Sequence, residues 1–244
     1  MNSEIAYGNI IIDSDWGCNH LEITNNPHVD TIKLCLVKVE DIYKIASELT
    51  KQVQNTSWIM KLDKTAQRSY SRTVEETAQK LVEIFNMASS SANVAKQFGE
   101  LMVSMGSARA LEILFDHTVL PIAELWKPQI KQNEGFDFHT ICPNEMINFG
   151  EAKFSSNDSP HGRAISQACD FIDNEKHLRD GIHLQKLTNE SAMENLNNDD
   201  FGIVAAFSIN AENPITVFKN ALESALKVCP SKDIKAVYII GVIH

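Results

Sequence analysis

Asp137, Glu151 and Lys153 are the residues of this chain whose types and spacing best describe a chemical site. The two acidic residues fall on neighbouring segments that read as extended, and the lysine follows the glutamate by two positions. Side chains of a strand alternate between faces, so Glu151 and Lys153 point together while Ala152 points away. A hairpin between the two segments brings Asp137 beside them. Two carboxylates with a backbone carbonyl, here that of Ala152, make a hard oxygen site suited to Mg2+ (or Mn2+), an ion that keeps several waters and accepts phosphate oxygens. Such an ion polarises a phosphodiester and lowers the pKa of a bound water. A lysine beside it orients that water and offsets charge developing on the phosphate. The chemistry described is metal-dependent phosphodiester hydrolysis. Each residue also has an ordinary explanation: Asp137 fits a strand-end turn, and Glu151 with Lys153 fits a solvent-facing ion pair worth ~0–1 kcal/mol.

The elements that must position these groups follow from hydrophobic patterning. Residues 5–12 and 31–39, rich in β-branched side chains, read as strands separated by a polar turn region over 13–30 with Asn25-Asn26-Pro27 as a breaker. Ile42, Ile45, Ala46, Leu49 and Val53 lie at helical spacing. A polar stretch over 61–72 interrupts, and Thr73 with Glu76 predicts a capping box at the next helix start. Ser89-Ser90-Ser91 marks a break; residues 92–126 read as one or two helices jointed at Gly106-Ser107. Residues 135–139 and 146–154 then form a hairpin around a turn at Pro143-Asn144-Glu145. Ser159-Pro160 signals a helix start, with serine as cap. Strands at 201–209 and 234–243 flank a helix at 214–228. These last strands are continuously apolar, as in a mixed β-sheet covered by helices, which places the chain in the α/β (α+β) class. Residues 1–91 read as an N-terminal α/β extension and 92–244 as the core that carries the site.

Composition limits the function. The chain has 244 residues, 43% hydrophobic and 22% charged, an ordinary globular balance. No apolar run approaches the ~20 residues of a membrane span, and the N-terminus carries no secretory pattern. Five scattered cysteines without a C-x-x-C pair argue against a disulfide scaffold or structural zinc and fit a cytoplasmic protein. A net charge of −10 excludes a generic nucleic-acid coat. It remains compatible with an enzyme on DNA whose carboxylates are neutralised by metal. No P-loop or dinucleotide fingerprint is present.

Asp137 followed by Glu151-Ala152-Lys153 resembles the D-x(n)-E-x-K signature of the PD-(D/E)xK nuclease superfamily. The resemblance covers roughly residues 105–243 and implies a restriction-endonuclease-like core of helix, three strands, helix and strand. Phe136 stands where the family's name has proline, and the first of the three strands has room only at 127–133. Gln167 and Phe171 resemble the Q-x-x-x-Y motif of the RecB-like branch, with phenylalanine for tyrosine. The resemblance implies that Asp137 and Glu151 hold the metal with the Ala152 carbonyl. Lys153 then positions the water, and Gln167 orients the lysine or contacts the substrate. Glu112 is placed like an additional acidic ligand, although an exposed helix position explains it equally well. The string Phe149-Gly150-Glu151-Ala152-Lys153-Phe154, after an N-terminal extension, is similar to the small nuclease subunits of Hachiman-type antiphage systems. That similarity implies a nuclease held inactive until a helicase partner signals foreign DNA. A catalytically silent binding module on the same fold and a sequence-specific restriction endonuclease are the competing readings.

Other polar groups have plainer expectations. His139 shares the face of Asp137 and either lines the cleft or lies on the surface. His177 and His183 read as surface residues. His161-Gly162-Arg163 reads as a solvated helix start, and Asp13, Asp15, Asn19 and His20 as a polar turn without metal-loop spacing.

Overall fold

Long apolar, β-branched runs build the middle of one sheet, and the described residues are 5–88, 96–127, 135–228 and 234–244 of this computed structural model. The strands are β1 (Ala6–Asp13), β2 (Cys18–Thr24), β3 (Ile32–Val39), β4 (Thr118–Val119), β5 (Phe138–Ile141), β6 (Ile147–Lys153), β7 (Phe201–Ser208) and β8 (Ala236–Ile243). Their order is β1-β2-β3-β8-β7-β6-β5-β4. The four central strands β3, β8, β7 and β6 run parallel, and antiparallel pairs flank them on both sides. Every residue of β7 is buried, the pattern of a strand covered on both faces. Because β3 pairs with β8, the N-terminal strands and the site-bearing strands share this sheet.

The helices are α1 (Ile42–Gln54), α2 (Lys64–Ala88), α3 (Lys96–Phe115), α4 (Ala123–Trp126), α5 (His161–Asp173), α6 (Lys176–Leu187), α7 (Glu190–Asn197) and α8 (Pro214–Val228). Phe207 of β7 meets His161 of α5 and Phe218 of α8, while Gly99 of α3 lies under the Phe154 ring. Phe207 shares the face of its partner Lys153, and Phe154 points the opposite way. So α5 and α8 cover the Glu151–Lys153 face and α3 the other. Burial runs around most of α3, from Phe98 to Leu111, as expected for a helix with neighbours on all sides.

The mixed α/β architecture is the one the apolar patterns predict, with differences in its parts. β2 lies inside the stretch read as a polar turn; it pairs with β1 on one edge and β3 on the other, and Cys18 and His20 on one face and Leu21 and Ile23 on the other are buried. α2 begins at Lys64 and not at Thr73, because Asp63 Oδ1 accepts the amides of Thr65 and Ala66 at 2.9 and 3.0 Å and caps it. The polar residues 64–72 form its outer face around Ala66 and Tyr70. α3 continues through Gly106, where no joint forms. The strand ahead of β5 is the two-residue β4, while residues 128–134 and the Ser89–Ser91 break lie outside the described residues. α6 and α7 occupy a region without a sequence assignment. α5 starts one residue later than expected, with Pro160 as the cap position; Ser159 Oγ accepts the Asn210 amide instead.

A buried carboxylate cluster where two strands part

β5 begins at Phe138, so the ladder it forms with β6 ends at the Phe138–Gly150 pair. Asp137 stands just beyond that ladder, one residue out of its register. Its amide donates to the Gly150 carbonyl at 2.8 Å, and its Oδ2 accepts the Ala152 amide at 2.7 Å. The side chain thus satisfies a strand N–H that has no carbonyl opposite it. The charge of Asp137 is felt at Glu151. Glu151 is 1% exposed; its Oε1 takes the Lys153 ammonium at 2.5 Å, and its Oε2 is buried with no hydrogen-bond partner. Asp137, Glu151 and Lys153 therefore meet as the strand period requires, and the Ala152 backbone is bonded to the first of them.

Two further carboxylates join them, both unmarked by the motif. Glu124 sits in α4, whose Ala123 amide donates to the Asp137 carbonyl at 3.2 Å. Its Oε2 is sealed from solvent and unpartnered. Glu100, on α3, adds negative charge felt at both Asp137 and Glu124. The signal for each was a lone acidic residue inside an apolar run, Ile122-Ala123-Glu124-Leu125-Trp126 and Phe98-Gly99-Glu100-Leu101-Met102. Burial, then the charge of Asp137, pushes the Glu151 carboxyl up to about 8. The same two causes raise Glu124 to about 8. Burial likewise raises Asp137, against the Ala152 hydrogen bond and the lysine charges.

The segment 135–139 is held from behind. Asp180 of α6 accepts at Oδ2 from Lys127 Nζ at 2.8 Å, from the Phe136 amide at 3.2 Å, and is 3.0 Å from His139 Nε2. Lys127 also donates to the Phe136 carbonyl at 2.5 Å. Burial works against the Asp180 carboxylate, but the His139 bond and the charges of His139 and Lys127 hold it below the usual range.

The remaining candidates separate from this cluster. Gln167 is half-buried on α5, a helix whose first turn meets Phe207 and whose last turn brings Phe171 edge-on to Phe136 at 5.4 Å. It therefore lies along the helix that covers the Glu151–Lys153 face. Glu112 lies elsewhere: it is twelve positions along α3 from Glu100, about 18 Å at the helical rise, and pairs with Arg109 at 2.8 Å. Arg109 also bonds Asp13 at 2.7 Å. This ion-pair group borders a cavity of about 420 Å³ lined by Trp16, Trp58 and Phe138. Asp13 and His20 are buried there, not a solvated turn. His139 is buried on Asp180, and His177 is buried against Phe201 and Phe149. His183 is half-buried with Nδ1 2.7 Å from the Tyr70 hydroxyl. The surface reading of His177 and His183 fails because α6 packs onto the sheet instead of standing off it.

Whether these residues suit a divalent cation is decided by the sealed oxygens. Among the described residues, no three His, Cys, Asp or Glu groups form a ready-made cage; Asp137 and Glu151 are engaged by Ala152 and Lys153 instead. Yet Glu151 Oε2 and Glu124 Oε2 are buried acceptors without donors, a costly arrangement that a proton or a cation relieves. Carboxylate oxygens are the donor set Mg2+ and Mn2+ take, so the residues fit such an ion. No described helix is long and apolar enough to cross a membrane. Comparison with family models, curated proteins and solved structures finds no match for this chain.

Proposed function

We propose that the chain is a metal-dependent nuclease that hydrolyses phosphodiester bonds of DNA, the cytoplasmic effector of a bacterial antiphage defence system controlled by a helicase partner. The observation that carries the chemistry is the meeting of Asp137, Glu151 and Lys153 at the point where β5 and β6 part, with unpartnered carboxylate oxygen sealed inside. The defence role and the helicase rest on the resemblance of the Phe149–Phe154 string.

In this reading Asp137 and Glu151, with the Ala152 carbonyl, hold Mg2+ or Mn2+, and Glu124 adds charge beside them. The bound cation supplies polarisation of the scissile phosphate and a water of lowered pKa. Lys153 gives up its bond to Glu151 to orient the attacking water and to offset charge on the phosphate. Gln167 orients Lys153 or meets the substrate backbone from α5. Ala152 keeps Asp137 in place through its amide.

The test is cleavage of linear and plasmid DNA in Mg2+, Mn2+ or EDTA, with and without any helicase encoded by a neighbouring gene. Cation-dependent degradation that is lost in Glu151→Gln and Lys153→Met is expected. Cleavage in EDTA, or unchanged cleavage by Glu151→Gln, contradicts the reading. A defined fragment ladder marks a sequence-specific endonuclease; Mn2+-insensitive protein with no cleavage marks a binding module.

A further inference from the structure

We propose that Asp180 is a positioning residue that holds the Lys127 ammonium out of the carboxylate cluster and so keeps that cluster open to a divalent cation. The inference rests on the metal-dependent reading above and adds a device that sets its cation affinity. Lys127 is 4% exposed in its side chain, so its charge needs protein partners. Asp180 Oδ2 at 2.8 Å and the Phe136 carbonyl at 2.5 Å accept from it, and the Trp126 ring lies 5.3 Å away. Phe136 is the residue next to Asp137, which puts the ammonium one residue from the cluster. Its charge reaches Asp137, Glu151 and Glu124.

The arrangement is built for this pair. A side chain at Gly135 would collide with Lys127 Nζ and approach Asp180 Oδ1 to 2.6 Å, so glycine there makes room for the ion pair. Asp180 also fixes both sides of Asp137, through the Phe136 amide at 3.2 Å and His139 at 3.0 Å. With Lys127 held by Asp180, the cation bonded inside the cluster is Lys153 on Glu151, while Glu100 pairs with Lys96 at 3.7 Å on the outer side of α3. Removing the Asp180 charge turns Lys127 into an internal competitor for the site that Mg2+ would fill.

Mn2+ affinity is measured by calorimetry for the full chain, for Asp180→Asn, and for Asp180→Asn with Lys127→Met, with melting in EDTA as the check of folding. Asp180→Asn is expected to weaken Mn2+ binding by about 10- to 100-fold, the usual effect of losing an outer partner of a metal site. The double variant is expected to recover affinity to within about threefold of the unaltered chain, since it removes the freed cation together with its counter-ion. A double variant as weak as Asp180→Asn shows plain structural support and overturns the proposal, as does unchanged affinity in Asp180→Asn. If Asp180→Asn does not fold, the double variant decides alone: recovered affinity supports the proposal and a tenfold loss overturns it. If the unaltered chain neither binds Mn2+ nor cleaves DNA, the nuclease reading itself has failed; if it does both and only the variants disobey, the failure belongs to Asp180.

Discussion

The Ala152 amide donates to Asp137 Oδ2 at 2.7 Å, so the middle residue of Glu151-Ala152-Lys153 is bonded to the distant aspartate of the motif. The contact exists because β5 begins one residue too late to offer a carbonyl, and an acidic side chain fills the place. A structural bond and a place beside Glu151 thus fall to the same carboxylate, and substitutions separate the two.

Asp137→Asn keeps an oxygen for the Ala152 amide and removes only the charge. Urea unfolding is expected to show stability within about 1 kcal/mol of the parent. Cation-dependent cleavage is expected to fall at least about 100-fold, no less than for loss of an outer partner. Equal losses of fold and activity would instead assign Asp137 a structural role alone.

Stability should decline with pH. Glu151 has an ordinary value of 4.5 and stands near 8 in the fold, as does Glu124. Between those values the folded chain holds protons that the unfolded chain has released, so stability is fully present below about 4.5 and is lost as pH rises through about 8. Melting in EDTA is expected to drop steadily from pH 5 to 9. Saturating Mg2+, which binds the ionised form, should flatten that drop. A flat profile in EDTA would mean that these carboxyls are not raised.

Gly150 has a tighter requirement than its neighbours. A methyl group there would collide with three atoms of the Phe138 ring across the β5–β6 pair. Gly150→Ala is expected to cost about 1–3 kcal/mol in urea unfolding by overpacking. A loss below about 0.5 kcal/mol would show that Phe138 moves freely, and with it the adjoining Asp137.

Glu112 and Glu124 give opposite expectations. Glu112 is 45% exposed in its side chain and paired with Arg109, so Glu112→Gln should change stability by less than about 1 kcal/mol and leave cleavage intact. Glu124→Gln removes a buried charge; it should raise the melting temperature in EDTA at pH 9 and weaken Mn2+ binding. The reverse order of effects would restore Glu112 as the additional acid.

The part of the site that sequence alone discloses is the part a strand's period controls. Glu151 and Lys153 share a face by counting, and the hairpin brings Asp137 onto the Ala152 amide between them. Glu100, Glu124 and Asp180 escape such counting because helices from three different segments carry them to the cluster. Asp180 was further masked because its segment had no sequence assignment and its histidines read as surface residues, although Asp180, His177 and Leu184 are buried on one face of α6. β2 was hidden by side-chain types: Asn19, His20 and Glu22 suit turns, yet pairing on both edges makes a strand of them. The polar start of α2 misled for the opposite reason, since one cap at Asp63 outweighs the capping box at Thr73.

Calorimetric titration of Mn2+ into the parent chain and Glu151→Gln at pH 9, where the buried carboxyls are ionised, is the most direct measurement of the central claim. Binding by the parent, with at least about 100-fold weaker binding by a Glu151→Gln variant that melts no lower in EDTA, is the predicted result. Equal affinity in the two proteins, or a parent that takes up no Mn2+, would contradict it.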